Sequence, residues 1–348
     1  MTETKPVAPD GDEQLLEWPN KDNRRFVRAV YRVGDLDRTI KFYTECLGME
    51  LLRKYEVSNE KHTKAIMGFG PEESSFVLEL TYEHGVTSYD IGTGFGHFAI
   101  ATQDVYKMVE NVRAKGGENM IIREPFELKG SPVLLLAYVK DPNGYIFELI
   151  QRGQTPQPLC HLMLRVADLQ RSIDFYQKAL GMRVLTKVES LEQKYAIALM
   201  GYADELETTA VELTYNHGVT QHSKGNGYSQ VKFFLLTWSL SLVKNTNSHI
   251  YARFLFLFQV AIGTDDVYKS AEIVNLITKE LGGKITQPPS LDSQMNSKII
   301  SFLDPDGWQI VSFPSKKICD SVKSRILFEI LEDCFHIPLF TCFLMFKE

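Results

Sequence analysis

The sequence predicts an α+β protein made of four βαβββ modules arranged as two tandem domains. Three observations carry this. The stretch Cys160–Met182, CHLMLRVADLQRSIDFYQKALGM, has a twin in Val27–Met49, VRAVYRVGDLDRTIKFYTECLGM. Carried without a gap to Val86 and Val219, the two copies share 26 identities in 60 aligned positions, where average residue usage gives roughly one match in seventeen. Within each half the order strand, helix and three strand-like runs occurs twice, with a second unit opening at Gly96 and near Val260. Matching turns, Asp141-Pro142-Asn143-Gly144 and Asp304-Pro305-Asp306-Gly307, close a hairpin at the end of each half.

Taken in order, Phe26–Val33 is apolar and rich in β-branched residues, as a strand is. Asp35 offers a side-chain oxygen to the first turn of a helix, and Leu36, Ile40, Tyr43 and Leu47 fall on one helical face. Gly48 supplies a left-handed residue to end it. Runs around Leu51, at Ala65–Phe69 and at Phe76–Tyr82 then read as strands. The second module follows Gly96 with the strand HFAIA, a helix over Asp104–Lys115 stopped by Gly116 and Gly117, and strands near Ile121, at Val133–Val139 and at Tyr145–Ile150. The third module repeats the first, and the fourth repeats the second with a helix over Thr264–Gly283. The resulting map is a lead-in 1–23, a first domain 24–152, a linker 153–159, a second domain 160–313 and a divergent tail 314–348.

Two segments break the pattern. Between Tyr228-Ser229-Gln230 and Val260-Ala261-Ile262, the counterpart of uninterrupted Phe95-Gly96-His97-Phe98-Ala99-Ile100, the chain carries 29 additional residues, Val231–Gln259. Insertions are tolerated at loop tips rather than inside strands, so this one reads as translated intron. Its apolar runs, Phe233–Val243 and Phe254–Phe258, fall well short of the roughly 20 residues that span a bilayer. In the tail, Val322, Ile326, Leu327, Ile330 and Leu331 fit one face of an amphipathic helix, and no function is assigned to it.

With 44 acidic against 38 basic residues, a net charge of −6 and no Lys/Arg-rich run, the chain lacks the electrostatic footprint of a nucleic-acid or anionic-membrane binder. A small-molecule partner is the expectation. Five cysteines without a CxxC pair form neither a disulfide framework nor a thiolate metal site, which fits a reducing compartment. The start, MTETKPVAPDGDEQ, has no cationic and apolar signal and is too acidic for a transit peptide, so it reads as a disordered lead-in to a cytoplasmic protein.

Polar residues among the inward positions of apolar strands require a reason. Four occupy equivalent places in their modules: His97 in GHFAI, Glu148 in YIFELIQ, His161 in CHLML and Glu212 in AVELTYN. Alone, each reads as a satisfied structural group. Together, two imidazoles and two carboxylates are an N/O donor set suited to zinc, nickel, cobalt or iron rather than to magnesium or calcium.

From about Leu16 to Val311, apart from the insertion, the chain resembles glyoxalase I (lactoylglutathione lyase) of the vicinal-oxygen-chelate superfamily, in its long two-domain plant form. The resemblance rests on LLEWPNKDNRRF, YRVGDLDRTIKFYTE, ELTY, GTGFGHFAI, DPNGYIFELI, MLRVADLQRSIDFY, ELTYNHGVT, AIGTDDVYKS and SFLDPDGW. It implies a metal site between domains, held by His97, Glu148, His161 and Glu212, with one divalent ion, nickel favoured and zinc or cobalt as alternatives. It implies isomerisation of the methylglyoxal–glutathione hemithioacetal to S-lactoylglutathione, with Glu148 as base and Glu212 on the other side of the substrate. For the glutathione moiety it implies Arg165 and Asn216 at the γ-glutamyl end and Lys129 for the glycyl carboxylate.

The opposite site would use Arg28, Glu79, Gln230 and Val311, where a permanent cation and an apolar residue replace ligands. Arg32 is retained there, while Glu83 replaces the counterpart of Asn216. One working site and one degenerate site are therefore expected, in a monomer whose two domains mimic a dimer. His161 departs from the Gln usual in long plant members, toward the His of bacterial nickel-dependent enzymes. Two other readings are a catalytically impaired splice isoform that binds metal or a partner, and an extradiol dioxygenase. The fourth ligand and the Arg165/Asn216 pair argue against the dioxygenase.

Overall fold

The computed structural model describes residues 10–57, 61–128, 133–227, 259–292 and 297–314. A helix, α1 (Asp10–Lys21), precedes the four modules. The first is β1 (Arg25–Arg32), α2 (Leu36–Glu45), β2 (Glu50–Val57), β3 (His62–Gly68) and β4 (Val77–Glu83). The second is β5 (Phe95–Thr102), α3 (Val105–Ala114), β6 (Ile121–Leu128), β7 (Leu134–Lys140) and β8 (Ile146–Gln151). The third is β9 (Leu159–Arg165), α4 (Leu169–Leu180), β10 (Arg183–Ser190), β11 (Tyr195–Gly201) and β12 (Ala210–Asn216). The fourth is β13 (Gln259–Thr264), α5 (Val267–Leu281), β14 (Lys284–Asp292), β15 (Ser297–Leu303) and β16 (Gln309–Pro314).

Local chemistry sets these elements as the sequence signals. Asp35, Asp104, Asp168 and Asp266 stand in extended backbone just before α2, α3, α4 and α5, and each accepts a hydrogen bond from an N–H of the first turn. Such a cap is worth about 1 kcal/mol per helix. Gly144 and Gly307 take positive φ in the two hairpin turns, a conformation that costs other residues energy.

Two eight-stranded sheets result, with orders β14-β15-β16-β13-β1-β4-β3-β2 and β10-β11-β12-β9-β5-β8-β7-β6. Each combines a module from one half of the chain with a module from the other: the first and fourth, and the second and third. Antiparallel pairs β1/β13 and β5/β9 form the seams. At the second seam Met163 packs over Gly96: a Cβ there would lie 1.8 Å from Met163 Sδ, so that side chain would have to move. The core joins the sheets and helices, with the Tyr31 ring 5.2 Å from Phe98 and 4.6 Å from Tyr145. Full burial of each such large side chain stabilises the fold by on the order of 2–3 kcal/mol. Tyr43 of α2 donates to Asp141 Oδ2, and Tyr176 of α4 donates to Asp304 Oδ2, both at 2.9 Å. These bonds tie each hairpin turn to the helix of the preceding module.

One expectation is corrected. The stretch 1–14, expected to be disordered, is helical from residue 10, as part of a helix whose Leu15 packs on the core and which lies against α4 and α5. Just after α1, Arg24 Nη1 donates to Ala179 O at 2.9 Å and Nε to Asp22 Oδ2 at 2.6 Å, anchoring the start of the chain on the second half. Composition missed this because the partners are more than 150 residues away. The expected break of the fourth module's first strand falls at residues 228–258, which the structure does not describe. β13 begins at Gln259 and pairs Gln259 with Val30 and Val260 with Ala29, so the last inserted residue takes the register place expected for Gln230. Residues 228–258, which include Gln230, lie outside the described residues, as do Lys129 and the tail from 315 on. Among the described residues no helix is long and apolar enough to cross a membrane.

Candidate metal centre

The adjacent strands β12, β9, β5 and β8 each contribute one polar side chain to the same place: Glu212, His161, His97 and Glu148. Register explains the convergence. Ala99 pairs with Glu148 on one side and His161 on the other, so His97 lies one inward position from both. A bulge assists: Ala99 pairs with His161 but Ile100 pairs with Leu159, leaving Cys160 as the extra residue. Cys160 therefore joins Ala99, Ala101, Leu136 and Ile150 in one apolar cluster while its Sγ lies 3.9 Å from His161 Nδ1.

The two Nε2 atoms of His97 and His161 face each other at 3.3 Å. Glu148 Oε2 is 3.3 Å from both, and Glu212 Oε2 is 3.4 Å from His161 Nε2. Ligand atoms of His97, His161 and Glu212 all lie within 4.8 Å of one another, and Glu148 joins through its two imidazole contacts. Side-chain exposure runs from 6% for His161 to 12% for Glu212, so these groups are largely removed from water. Four lone-pair donors meeting in such a place fit a divalent cation, and two imidazole nitrogens with carboxylate oxygens are a transition-metal set.

Without an ion, the imidazoles and carboxylates of the cluster are electrostatically paired with one another. Burial pushes the Glu148 carboxyl up, but His97 and His161 overcome it and hold it well below the usual carboxylate range. Burial pushes His161 down, and Cys160, Glu148 and Glu212 more than reverse this. Outer contacts orient the carboxylates. Tyr138 OH donates to Glu148 Oε1 at 2.5 Å, and Thr214 Oγ1 donates to Glu212 Oε1 at 2.8 Å. Burial first, then the charge of Glu148, raises the Tyr138 phenol, which keeps its proton.

Of the residues expected to hold the glutathione moiety, Arg165 lies at the end of β9 with Nη1 donating to the carbonyls of Thr93 (3.0 Å) and Phe95 (2.8 Å). Asn216 ends β12 opposite Tyr195. Lys129 lies outside the described residues.

In the other sheet Arg28 Nη1 contacts Glu79 Oε2 at 2.5 Å, and Lys64 Nζ contacts Glu79 Oε1 at 2.7 Å. Burial pushes the Glu79 carboxyl up, and the two cations overcome this and hold it well below its usual range. Val311 is buried with Val27, Ala261, Ile299 and Phe313. Gln259, not Gln230, stands at the β13 position.

Sequence reasoning missed Tyr138, Thr214 and Cys160. The turn at Asp141–Gly144 fixes the β7/β8 register and so places Tyr138 opposite Glu148, and Thr214 is the next inward position after Glu212. The bulge that exposes Cys160 to the cluster has no signal in the sequence.

The family model described as Glyoxalase/Bleomycin resistance protein/Dioxygenase superfamily matches residues 25–149 and again 159–311. An Arabidopsis thaliana protein named lactoylglutathione lyase GLX1 is 56% identical over 302 residues, 87% of this chain and 95% of that protein. The chain belongs to the lactoylglutathione lyase (glyoxalase I) family. A rice protein named lactoylglutathione lyase is 55% identical over 304 residues, 87% of this chain and 94% of that protein. The crystal structure of glyoxalase I from Zea mays superimposes with a TM-score of 0.76 at 54% identity, covering 87% of this chain and 97% of that one. Membership in the glyoxalase I family makes the chain a lyase.

Proposed function

We propose that this chain isomerises the hemithioacetal of methylglyoxal and glutathione to S-lactoylglutathione at one centre, built by the second and third modules. The observation that carries the reading is the convergence of His97, Glu148, His161 and Glu212 from four neighbouring strands. These residues would hold one divalent ion, nickel in preference to zinc or cobalt. When bound, the ion supplies electrostatic stabilisation of the negative charge that develops on the substrate oxygens.

The reaction moves a proton between adjacent carbons. Glu148 is the base: its carboxylate removes the proton and returns it to the neighbouring carbon. Glu212 faces the other side of the substrate. Arg165 and Asn216 at the ends of β9 and β12 hold the γ-glutamyl end, and Lys129 receives the glycyl carboxylate. The apolar cluster of Ala99, Ala101, Leu136, Ile150 and Cys160 lies beside the centre and helps to keep water out. Arg28 and Lys64 neutralise Glu79 from within the chain, which makes the other sheet's constellation structural and leaves one active centre per chain.

The test is the full chain stripped of metal and reloaded separately with nickel, cobalt and zinc. Hemithioacetal isomerisation should vanish on stripping and return with about one ion per chain, most strongly for nickel. Undiminished turnover in the stripped protein overturns the reading.

A further inference from the structure

We propose that Tyr138 is a positioning residue for the reaction: its hydroxyl fixes one carboxylate oxygen of Glu148 so that the other alone faces the two imidazoles. The proposal rests on the assignment of Glu148 to the centre. β7 and β8 form the hairpin closed by the Asp141–Gly144 turn, with Tyr138 directly opposite Glu148. The Tyr138 hydroxyl donates to Glu148 Oε1 at 2.5 Å, while Glu148 Oε2 is 3.3 Å from both His97 Nε2 and His161 Nε2. The terminal torsion of a glutamate is broad and nearly two-fold. Without a donor on Oε1, the carboxylate is free to rock and exchange its oxygens.

The donor itself stands on a fixed support. The Tyr138 ring is stacked on Phe126, 6.2 Å between centroids at 22°, and meets His97 edge-on at 6.0 Å and 68°. Arg123 caps the stack with its guanidinium 3.2 Å from the Phe126 centroid. A planar ring clamped in this way delivers its hydroxyl to one point.

Equivalent register positions show that the arrangement is particular to Glu148. Glu212 lies opposite Leu199, Glu79 opposite Ile66, and Val311 opposite Ser301. Glu212 obtains its hydroxyl from its own strand, through Thr214 at 2.8 Å on Oε1. Both carboxylates thus have Oε1 engaged by a hydroxyl and Oε2 turned to imidazole, to both rings for Glu148 and to His161 for Glu212, but only Glu148 depends on a second strand for its hydroxyl. That strand, β7, is therefore part of the machinery that orients the base.

Tyr138→Phe in the full chain removes one oxygen and keeps the stacked ring. Removing an outer contact to a metal ligand typically costs 10–100-fold in metal affinity or activity. Nickel titrated into the metal-free variant should bind about 10-fold more weakly, and kcat of the nickel-loaded variant should fall about 10-fold with KM changed less than about twofold. The thermal midpoint of the metal-free protein should stay near that of the unsubstituted chain, which separates positioning from a loss of fold. Glu148→Gln is measured alongside. If it abolishes turnover while Tyr138→Phe matches the unsubstituted chain in nickel affinity and kcat, the positioning role is overturned and the centre stands. If Glu148→Gln leaves both intact, the centre itself is overturned. Should Tyr138→Phe not fold, Phe126→Leu loosens the same stack without touching the hydroxyl; weaker nickel binding then supports the role, and unchanged binding overturns it.

Discussion

Alanine substitutions at His161 and at Arg28 change twin residues on twin strands, and the geometry assigns them opposite consequences. His161 Nε2 contacts His97 Nε2, Glu148 Oε2 and Glu212 Oε2 at 3.3 to 3.4 Å, so it is the member of the cluster that touches all the others. Loss of a mere outer partner already costs metal sites 10–100-fold. Loss of this imidazole should exceed that range, with nickel affinity falling by at least ~100-fold, equivalent to about 2.7 kcal/mol. Turnover should fall below detection. Arg28→Ala instead removes one side of an ion pair whose members are 15% and 4% exposed. Breaking a buried pair costs about 3–5 kcal/mol when the remaining charge has no other partner. Here Lys64 stays at 2.7 Å on the other oxygen of Glu79, so about half of that remains, near 2 kcal/mol. For a chain of this size the thermal midpoint should drop by about 3 °C, with turnover unchanged. Calorimetric nickel titration, an isomerase assay and scanning calorimetry on both variants make the comparison. His217→Ala serves as a control, since its Nε2 contacts only exposed Glu189 at 3.4 Å among the salt bridges described; it should change neither metal content nor rate. Full turnover in His161→Ala refutes the assignment, and loss of turnover in Arg28→Ala moves the chemistry to the other sheet.

Three further outcomes follow from the same structure. Burial, then the neighbouring Asp306, pushes the Asp304 carboxyl up to about 7. The native state therefore keeps a proton there that the unfolded chain releases near pH 4. Its contribution to stability is full below about pH 4 and is lost as pH rises through about 7. Asp304→Asn should flatten that decline by on the order of 2 kcal/mol between pH 5 and 8 in urea unfolding, and an unaltered slope would contradict the linkage. Deleting Val231–Gln259 puts Gln230 beside Val260 in place of Gln259, and the candidate centre lies in the other sheet; isomerase activity should be equal with and without the segment. A large gain on deletion would instead favour the impaired-isoform reading. Ile197 is the twin of Lys64, so Ile197→Lys should pair with Glu212 and displace metal while the chain stays folded; retained nickel affinity would defeat this.

Much of the fold was legible because its signals are local. Asp35 and Asp104 cap the helices expected of them, and the turns at Asp141 and Asp304 close the expected hairpins. The four site residues were legible for a different reason: polar groups at symmetric inward positions of apolar strands stand out against their surroundings. What the sequence does not display is pairing at long range. The helix at 10–21 is stabilised by α4 and α5 far along the chain, and Arg24 reaches Ala179 and Ser270. Tyr138 lay within reach of a register argument from the hairpin turn, but Cys160 depends on a bulge in the β5/β9 seam, which no local pattern marks.

The two sheets handle twin carboxylates in different ways. Glu79 and Glu212 are twins on β4 and β12, and each turns a carboxylate inward from the middle of a sheet. A buried carboxylate requires positive charge or must give up its own. Around Glu79 the chain supplies that charge covalently, through Arg28 on one oxygen and Lys64 on the other. At the corresponding positions around Glu212 stand His161 and Ile197, an imidazole with a lone pair to offer and an apolar side chain. One sheet is thereby neutralised from within, and the other presents nitrogen and oxygen donors to a cation from outside. β1 and β9 keep the same register and the same bulge, so the contrast between the ion pair and the candidate metal centre lies in side chains exchanged on a common backbone: Arg28 for His161 and Lys64 for Ile197 on the strands flanking the twin glutamates, and Val311 for Glu148.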